Sequence, residues 1–180
     1  MFYHVRGDPK ASAAFAVPEP HVLIVRAPDD YAGLPQKMRA AFDAVRRLHP
    51  TIRLLFKTDD DQRLSPPIFL SKLCSLLLPS TRHYGGFVID VERAHVSKYY
   101  LEHPELPRDL VVQPTRYCSG RFYFLSRAAL DALADMPASV FAQEYLEDYA
   151  VGRLLPAAFK APDAILHIPS HTYFTDMPPL

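Results

Sequence analysis

The stretch LLFKTDDD, residues 54–61, joins a short apolar run to three consecutive aspartates. Bulky apolar residues in so short a run are typical of a buried strand, which is predicted over residues 52–58. Like charges in partial burial raise one another's pKa, so adjacent carboxylates are costly unless a positive group lies among them. Because open α/β sheets bind their ligands at the carboxyl ends of strands, residues 59–61 mark the first candidate site.

The segments around this motif predict strands that alternate with helices. Further strands are predicted over residues 21–26, 85–91, 118–126 and 164–168, and helices over residues 34–49, 68–78, 126–134 and about 143–155. Residues 97–114 are rich in Tyr, Pro and charge without a period, which is typical of a long loop that could cover a site. This order predicts a single α/β domain over residues 1–180, a mixed or parallel sheet flanked by helices.

Composition and charge argue against several classes of protein. The chain has 180 residues, with 20 Lys plus Arg against 20 Asp plus Glu, so its formal net charge is zero. It therefore lacks the basic field of proteins that hold nucleic acid or acidic membranes mainly by counterion release. Cys74 and Cys118 are too few for a disulfide scaffold and are not spaced as a CxxC metal clip. We expect a locally recognised partner and no nucleic acid.

No membrane segment is visible in the sequence. The longest apolar run, residues 71–79, is far shorter than the roughly 20 residues that a spanning helix needs. Residues 1–20 lack the sustained apolar core of a signal peptide. Taken literally, the chain is expected to be soluble, unexported and hence cytoplasmic.

The three aspartates allow two interpretations. A divalent cation would neutralise them: Mg or Mn prefers oxygen ligands, usually takes one or two protein carboxylates, and fills its shell with water and substrate phosphate. Alternatively, they form a solvated acidic turn, because Asp is common in turns and at helix N-caps. From KTDDDQ alone, the acidic turn is the favoured interpretation.

A second acidic cluster lies in QEYLEDYAVG, residues 143–152. Helical spacing would place Glu144 and Asp148 on one face, with Glu147 beside them. A carboxylate there could act as a general base, or it could belong to a solvated helix start and stabilise the N-terminus through the dipole. Taken alone, the solvated helix start is the simpler interpretation.

Two histidines in LHIPSHTYF, residues 166–174, complete the candidates. His167 falls within an apolar strand, whereas His171 follows it into a loop, where strands release functional groups. A neutral imidazole suits Mn as well as carboxylates do, but for either histidine taken singly a role outside any metal site is the favoured interpretation, which for His167 means a core histidine. The sequence contains no HExxH, P-loop or GxSxG motif.

The order of these motifs resembles the beta-1,3-galactosyltransferase family, the Fringe-like inverting glycosyltransferases of the GT-A fold. LLFKTDDD is similar to the family's strand and DxD motif, and residues 29–38, DDYAGLPQKM, are similar to its D-Y-x-N-L-x-x-K segment. Residues 97–100 (SKYY), 117–120 (YCSG) and 147–152 (EDYAVG) follow in the family's order. Ordered blocks over about residues 22–155 are more specific than any one motif. The resemblance implies a Rossmann-type, GT-A-like mixed sheet.

The resemblance also implies roles for the first cluster. Asp61 would bind the Mn or Mg ion that bridges the diphosphate of a UDP-sugar donor. Asp59 and Asp60 would help to hold the metal and the ribose, and Lys57 of the same motif would contribute to substrate binding. The charge of the leaving group would thereby be neutralised.

The second cluster and the histidines receive roles from the same resemblance. Asp148 would be the base that takes the proton from the acceptor hydroxyl as it attacks the anomeric carbon with inversion, and Glu147 would support it. The family's late metal-binding histidine corresponds to His171 or His167, with a slight preference for His171. Gly120 matches a family glycine at which the backbone passes close to substrate or to a packed neighbour.

The resemblance predicts a metal-dependent inverting hexosyltransferase. It would move galactose or an N-acetylhexosamine from a UDP-sugar to a glycan acceptor, in a β-1,3 type linkage. Two alternatives remain: an inactive remnant that binds a sugar nucleotide or glycan without transfer, and a Mg-dependent phosphohydrolase.

The chain departs from the family pattern in several respects, among them Gln62 and Arg63 in place of the apolar residues that usually follow the DDD motif. The family's glycine-rich continuation is Arg121 and Phe122 here, which bears on the acceptor and donor-sugar pocket. The resemblance begins near residue 22, so either FYHVRGDP, residues 2–9, supplies a shortened form of the first nucleotide-binding strands or those strands are lacking. Family members work in the Golgi membrane behind an N-terminal anchor, so the resemblance implies that location if an anchor precedes this chain.

Overall fold

The computed structural model describes residues 1–177, which form eleven strands and five α-helices. The strands are β1 (His4–Gly7), β2 (Phe15–Glu19), β3 (Val22–Val25), β4 (Leu54–Thr58), β5 (Gln62–Leu64), β6 (Tyr84–Val91), β7 (His95–Val96), β8 (Val111–Val112), β9 (Thr115–Ser126), β10 (Leu166–His167) and β11 (Phe174–Asp176). The helices are α1 (Leu34–Leu48), α2 (Ile68–Leu77), α3 (Arg127–Ala134), α4 (Ala138–Phe141) and α5 (Glu147–Leu154). The mixed α/β class predicted from the sequence is confirmed.

The central sheet has the strand order β10-β6-β9-β4. β10 runs parallel to β6, whereas β6 and β4 are antiparallel to β9, so the sheet is mixed. The long strand β9 therefore links both sides of the sheet. β4 lies at one edge, with Lys57 opposite Tyr123 and Thr58 opposite Phe122. The three aspartates follow directly at the carboxyl end of β4.

The two faces of β9 build two parts of the core. Because side chains alternate along a strand, Tyr123 and Leu125 face a cluster formed with α1, α3 and α5. Phe122 and Phe124 face the opposite cluster, formed with α2 and β11. Apolar burial on both faces fixes the register of β9, since a slip of one residue would exchange the two sets.

β1, β2 and β3 form a separate sheet of order β1-β3-β2. β1 is parallel to β3, with His4 opposite Val22, so FYHVRGDP does supply a strand. The buried side chains of Leu23 and Val25 pack with α1, which also contacts α3, α4 and α5. The predicted strand at residues 21–26 is confirmed as β3, and α1 separates this sheet from the central one.

Helix α5 begins later than the sequence predicts. α4 ends at Phe141, and Leu146 takes an extended conformation as the N-cap of α5, so Glu144 lies outside the helix. The buried Glu144 side chain instead accepts hydrogen bonds from Arg153. The prediction that Glu144 and Asp148 share one helical face is wrong, because Leu146 packs with Leu106 and Val112 and interrupts the helix.

The segment 97–114 is mostly irregular, as predicted, but it is anchored. Leu106 and Val112 are buried against Leu146 and Tyr149, and β8 within the segment pairs with β7. The His103 ring stacks on Tyr31 with centroids 3.5 Å apart. The segment therefore lies beside the amino end of α5. In the described part of the chain, no helix combines the length and apolar character needed to cross a membrane.

Candidate active site at the end of β4

Lys57 joins the two acidic clusters of the sequence. Its Nζ lies 2.5 Å from Asp59 Oδ1 and 3.0 Å from Glu147 Oε2, and it donates to the carbonyl of Gly120 at 3.0 Å. Burial alone would lower the pKa of Lys57, but the charges of Glu147 and Asp59 outweigh it and raise the pKa. Lys57 therefore stays charged and neutralises one carboxylate from each cluster.

Glu147 is the most enclosed carboxylate of the site. Its side chain is only 6% exposed, and Oε1 accepts a hydrogen bond of 2.5 Å from the hydroxyl of Tyr123. Burial, followed by the charge of Glu147, raises the pKa of Tyr123 well above its usual value. Tyr123 therefore stays protonated and donates. We call Lys57, Tyr123, Glu147 and Asp148 the buried network.

Asp148 sits at the start of α5 with both carboxylate oxygens held by backbone donors. Oδ2 accepts from the Gly120 N–H at 2.9 Å, and Oδ1 accepts from the Tyr149 N–H at 2.7 Å. Burial, followed by the neighbouring Glu147 charge, raises the pKa of Asp148 from 3.8 to about 6, although these hydrogen bonds and Lys57 oppose the shift. A fixed carboxylate with a pKa near 6 suits a general base at neutral pH.

Gly120 lets the backbone of β9 pass between these groups. A Cβ at this position would lie 3.2 Å from Lys57 Nζ and 3.4 Å from Asp59 Oδ2. Residues 119–122 fall in a register shift between β9 and β6, where Gly86 faces Tyr123 but Val88 faces Cys118. Such bulges re-aim the chain beside active sites. The backbone at Gly120 therefore passes close to Lys57 and Asp59, and its role in substrate binding stays a prediction.

The three aspartates differ in their surroundings. Asp59 is half-buried and bound to Lys57, whereas Asp60 and Asp61 are exposed. Asp61 Oδ1 accepts a hydrogen bond of 3.0 Å from the side chain of Gln62. Of the two earlier interpretations, a purely solvated turn does not describe Asp59, because its carboxylate is paired with the buried ammonium group of Lys57.

Both histidines are exposed and contact Phe87. The Phe87 ring centroid lies 5.3 Å from that of His167 and 5.5 Å from that of His171. The interpretation of His167 as a core histidine is therefore wrong. The side chain lies outside the core even though β10 pairs with the buried end of β6.

Asp59 and Asp61 are the candidate ligands for a Mg or Mn ion. Within residues 1–177, no three His, Cys, Asp or Glu side chains are gathered closely enough to hold a metal ion. These ions need only one or two protein carboxylates when substrate phosphate and water complete the shell. Asp61 is exposed, and Asp59 has a second oxygen that accepts no hydrogen bond from the described residues. The two carboxylates fit such a metal, whose binding stays a prediction.

Three tyrosines, Tyr31, Tyr99 and Tyr117, lie around Asp148 and were not assigned to the site from the sequence. Burial, followed by the neighbouring Tyr99 and Asp148, raises the pKa of Tyr31 to about 12. Burial and then Asp148 also raise the pKa values of Tyr99 and Tyr117. Tyr99 and Tyr117 line a cleft of about 530 Å³ between β6 and the segment 97–114. These tyrosines belong to the motifs DDYAG, SKYY and YCSG, which were the sequence features that could have indicated their place in the site.

A comparison with models of protein families covers most of the residues of this site. The family model described as galactosyltransferase matches residues 21–162, which is more than half of the chain. The matched range contains the three aspartates, Gly120 and Asp148 but neither histidine. No curated protein matches the chain. The resemblance seen in the sequence is confirmed: the chain belongs to the galactosyltransferase family and is a glycosyltransferase.

Proposed function

We propose that this glycosyltransferase moves a hexose, of the galactose or N-acetylhexosamine class, from a UDP-sugar to a hydroxyl of a glycan acceptor. The proposed reaction inverts the anomeric centre, forms a β-1,3 type linkage and uses Mn or Mg. The observation that carries this proposal is Asp148, a backbone-held carboxylate with a pKa raised to about 6, which lies across Gly120 from Asp59. The family match supports the class of reaction.

Asp148 acts as the base in this proposal. The acceptor hydroxyl gives its proton to Asp148 while its oxygen forms a bond to the anomeric carbon of the donor. The bond from that carbon to the diphosphate oxygen breaks, and its electron pair stays on the leaving UDP. The N–H groups of Gly120 and Tyr149 keep the carboxylate in place, so little reorganisation is needed at the moment of proton transfer.

Glu147 and Lys57 set the charge around this base. Glu147 forms an ion pair with Lys57, and its negative charge helps to raise the pKa of Asp148. Lys57 also positions Asp59 through their ion pair. Glu147 is thus proposed to support the base and not to replace it, because its own oxygens are occupied by Lys57 and Tyr123.

The aspartates at the end of β4 are proposed to receive the donor. Asp61 and Asp59 would hold the divalent cation, and Asp60 would assist at the ribose. His171 or His167 would become a further ligand only by moving towards them, because no three such side chains are gathered within residues 1–177. When bound, the cation would neutralise negative charge on the diphosphate. The acceptor is proposed to enter through the cleft beside Tyr99 and Tyr117, whose rings offer an apolar surface with polar hydroxyl ends.

The test is Asp148→Asn, which preserves the shape of the side chain but removes the base. UDP release is measured for several UDP-sugars with Mn, each with and without glycan acceptors, and UDP binding is measured by calorimetry. We expect transfer to fall by about 10²- to 10⁴-fold, the usual contribution of a general base, while UDP binding is kept. Asp163→Asn, at an exposed site, is the matched control.

Each alternative gives a different result in this assay. Unchanged transfer by Asp148→Asn would contradict the assignment of the base. UDP binding without transfer by the wild-type protein would favour a sugar-nucleotide-binding remnant. UDP release that does not depend on any acceptor would favour a phosphohydrolase.

A further inference from the structure

Arg121 lies at the same edge of the central sheet as the three aspartates. It follows Gly120 in the β9 bulge, and its carbonyl accepts a hydrogen bond of 2.8 Å from Thr58 Oγ1, the last residue of β4. The backbone of Arg121 is thereby fixed directly beside Asp59. Gly120 approaches Asp148 and α5, whereas the Arg121 side chain reaches β11.

The guanidinium is linked to Asp61 through two intermediate side chains. Arg121 donates from Nη2 to Asp176 Oδ1 at 2.8 Å. The same oxygen accepts from the Gln62 side chain at 2.8 Å, and Gln62 also donates to Asp61. Asp176 lies opposite Gln62 in the pairing of β11 with β5. We call Asp61, Gln62, Arg121 and Asp176 the open edge.

Lys57 and Arg121, the two cations linked to the three aspartates, differ in how many partners they have. Lys57 is 12% exposed and bound to two carboxylates and one carbonyl. The Arg121 side chain is 31% exposed, and among the described residues its guanidinium makes a single hydrogen bond although it carries five N–H donors. Asp176 is 68% exposed, and an ion pair so open to water contributes little stability. The charge of Arg121 is therefore available to a ligand.

We propose that Arg121 binds the diphosphate of the nucleotide-sugar donor, with Asp176 holding the guanidinium in position until the donor arrives. This inference rests on the proposed function, because it assumes a nucleoside diphosphate at the end of β4. A planar guanidinium can contact two phosphate oxygens at once, which a lysine ammonium cannot do with the same geometry. As the bond to the anomeric carbon breaks, the electron pair moves onto the diphosphate, where Arg121 stabilises the added charge.

The test measures the affinities of UDP and UMP by calorimetry, in EDTA and again with Mn, for the wild type and three variants. Arg121→Ala should weaken UDP binding by about 10- to 100-fold, the value of a charge-assisted hydrogen bond. UMP lacks the second phosphate, so its affinity should change by less than about threefold. Arg121→Lys should restore part of the loss, because the charge remains without the planar fork. Asp176→Asn should bind UDP at least as tightly as the wild type, because the amide oxygen can still accept a hydrogen bond from Arg121 but no longer competes as a negative charge.

Three results would overturn the inference. UDP affinity within about twofold of the wild type in Arg121→Ala would show that the guanidinium does not contact the diphosphate. An equal loss of affinity for UDP and UMP in Arg121→Ala would also contradict it. So would an equal loss of UDP affinity in Arg121→Ala and Asp176→Asn that Arg121→Lys does not restore, because the ion pair of Arg121 with Asp176 would then have only a structural role.

Failure of the inference is distinguishable from failure of the proposed function. If the wild type binds UDP and Asp148→Asn abolishes transfer while Arg121→Ala binds UDP normally, only the role of Arg121 is wrong. If the wild type binds neither UDP nor UMP, the proposed class of donor is wrong and the inference falls with it.

Discussion

The buried network and the open edge hold their charges in different ways, although both adjoin Asp59. In the buried network, Lys57 and Glu147 are almost completely enclosed, and each charged group has several partners. In the open edge, Arg121 and Asp176 form one exposed ion pair. The charges of the buried network are thus already paired before substrate binds. The open edge, by contrast, has a charge that can pair with a ligand.

The difference between the buried network and the open edge corresponds to two tasks of a transferase, which are proton removal and donor binding. A base must have a defined position and pKa, which burial provides for Asp148. A donor-binding edge must exchange its partners for phosphate and metal, which weak and exposed contacts allow. Substitutions in the buried network should therefore change stability and pH dependence, and those in the open edge should change ligand binding.

The largest effect on stability is expected from Lys57→Met. Removal of the ammonium leaves Glu147 and Asp59 without their cation, and breaking a buried pair in this way costs about 3–5 kcal/mol. Urea unfolding at pH 7 measures the change. Lys72→Met, at an exposed position of α2, should stay within about 0.5 kcal/mol of the wild type. Similar effects of the two substitutions would contradict the described burial of Lys57.

A smaller effect should appear in the pH dependence of stability. The pKa of Asp148 is higher in the folded state, about 6, than its ordinary value of 3.8, so the folded state binds the proton more tightly. The wild type should therefore lose stability as pH rises from about 4 to 7, by about 2–3 kcal/mol from this group. Asp148→Asn lacks this contribution.

The comparison is made by urea unfolding of both proteins at pH 4 and pH 7. The free energy of unfolding of Asp148→Asn relative to the wild type should increase by about 2–3 kcal/mol between these values. Asp163→Asn should show no such trend, since that residue is exposed. A pH-independent difference between Asp148→Asn and the wild type would mean that the carboxyl titrates near its ordinary pKa.

The smallest effect on stability is expected from Arg121→Ala. Its ion pair with Asp176 is exposed, and such pairs contribute about 0–1 kcal/mol. Unfolding should therefore give a difference from the wild type below about 1 kcal/mol, and a smaller one in high salt because salt screens exposed charges. A loss above about 2 kcal/mol would place Arg121 with the buried network and remove the contrast between the two regions.

The parts of the fold that could be predicted are those with strong local patterns. The apolar run before the aspartates identifies β4, and the helical period after Leu34 identifies α1. β2 was not predicted, because FAVPE is mostly exposed and contains a proline. The start of α5 was placed too early, because the contact of Leu146 with Leu106 joins residues that are far apart in the chain.

The candidate site was predictable in its residue types but not in its pairing. The aspartates and the Glu147–Asp148 pair stand out as clustered charges, and the resemblance assigned them roles. The ion pair between Lys57 and Glu147 joins residues that are half the length of the chain apart in sequence, and it exists only because α5 packs on β9. Likewise, the sequence shows Arg121 only as a departure from a glycine-rich pattern. Its partner Asp176 lies in β11 and could be identified only from the structure.

The most direct test of the central claim is the pH dependence of kcat/KM for sugar transfer, because it reports the ionisation of the base in the free enzyme. We predict that kcat/KM falls as pH decreases through about 6, the pKa of Asp148, as its carboxylate becomes protonated. In Asp148→Asn the rate should be lower by about 10²- to 10⁴-fold and should lack this limb. A limb near pH 4 in the wild type, or the same limb in Asp148→Asn, would contradict the assignment of Asp148 as the base.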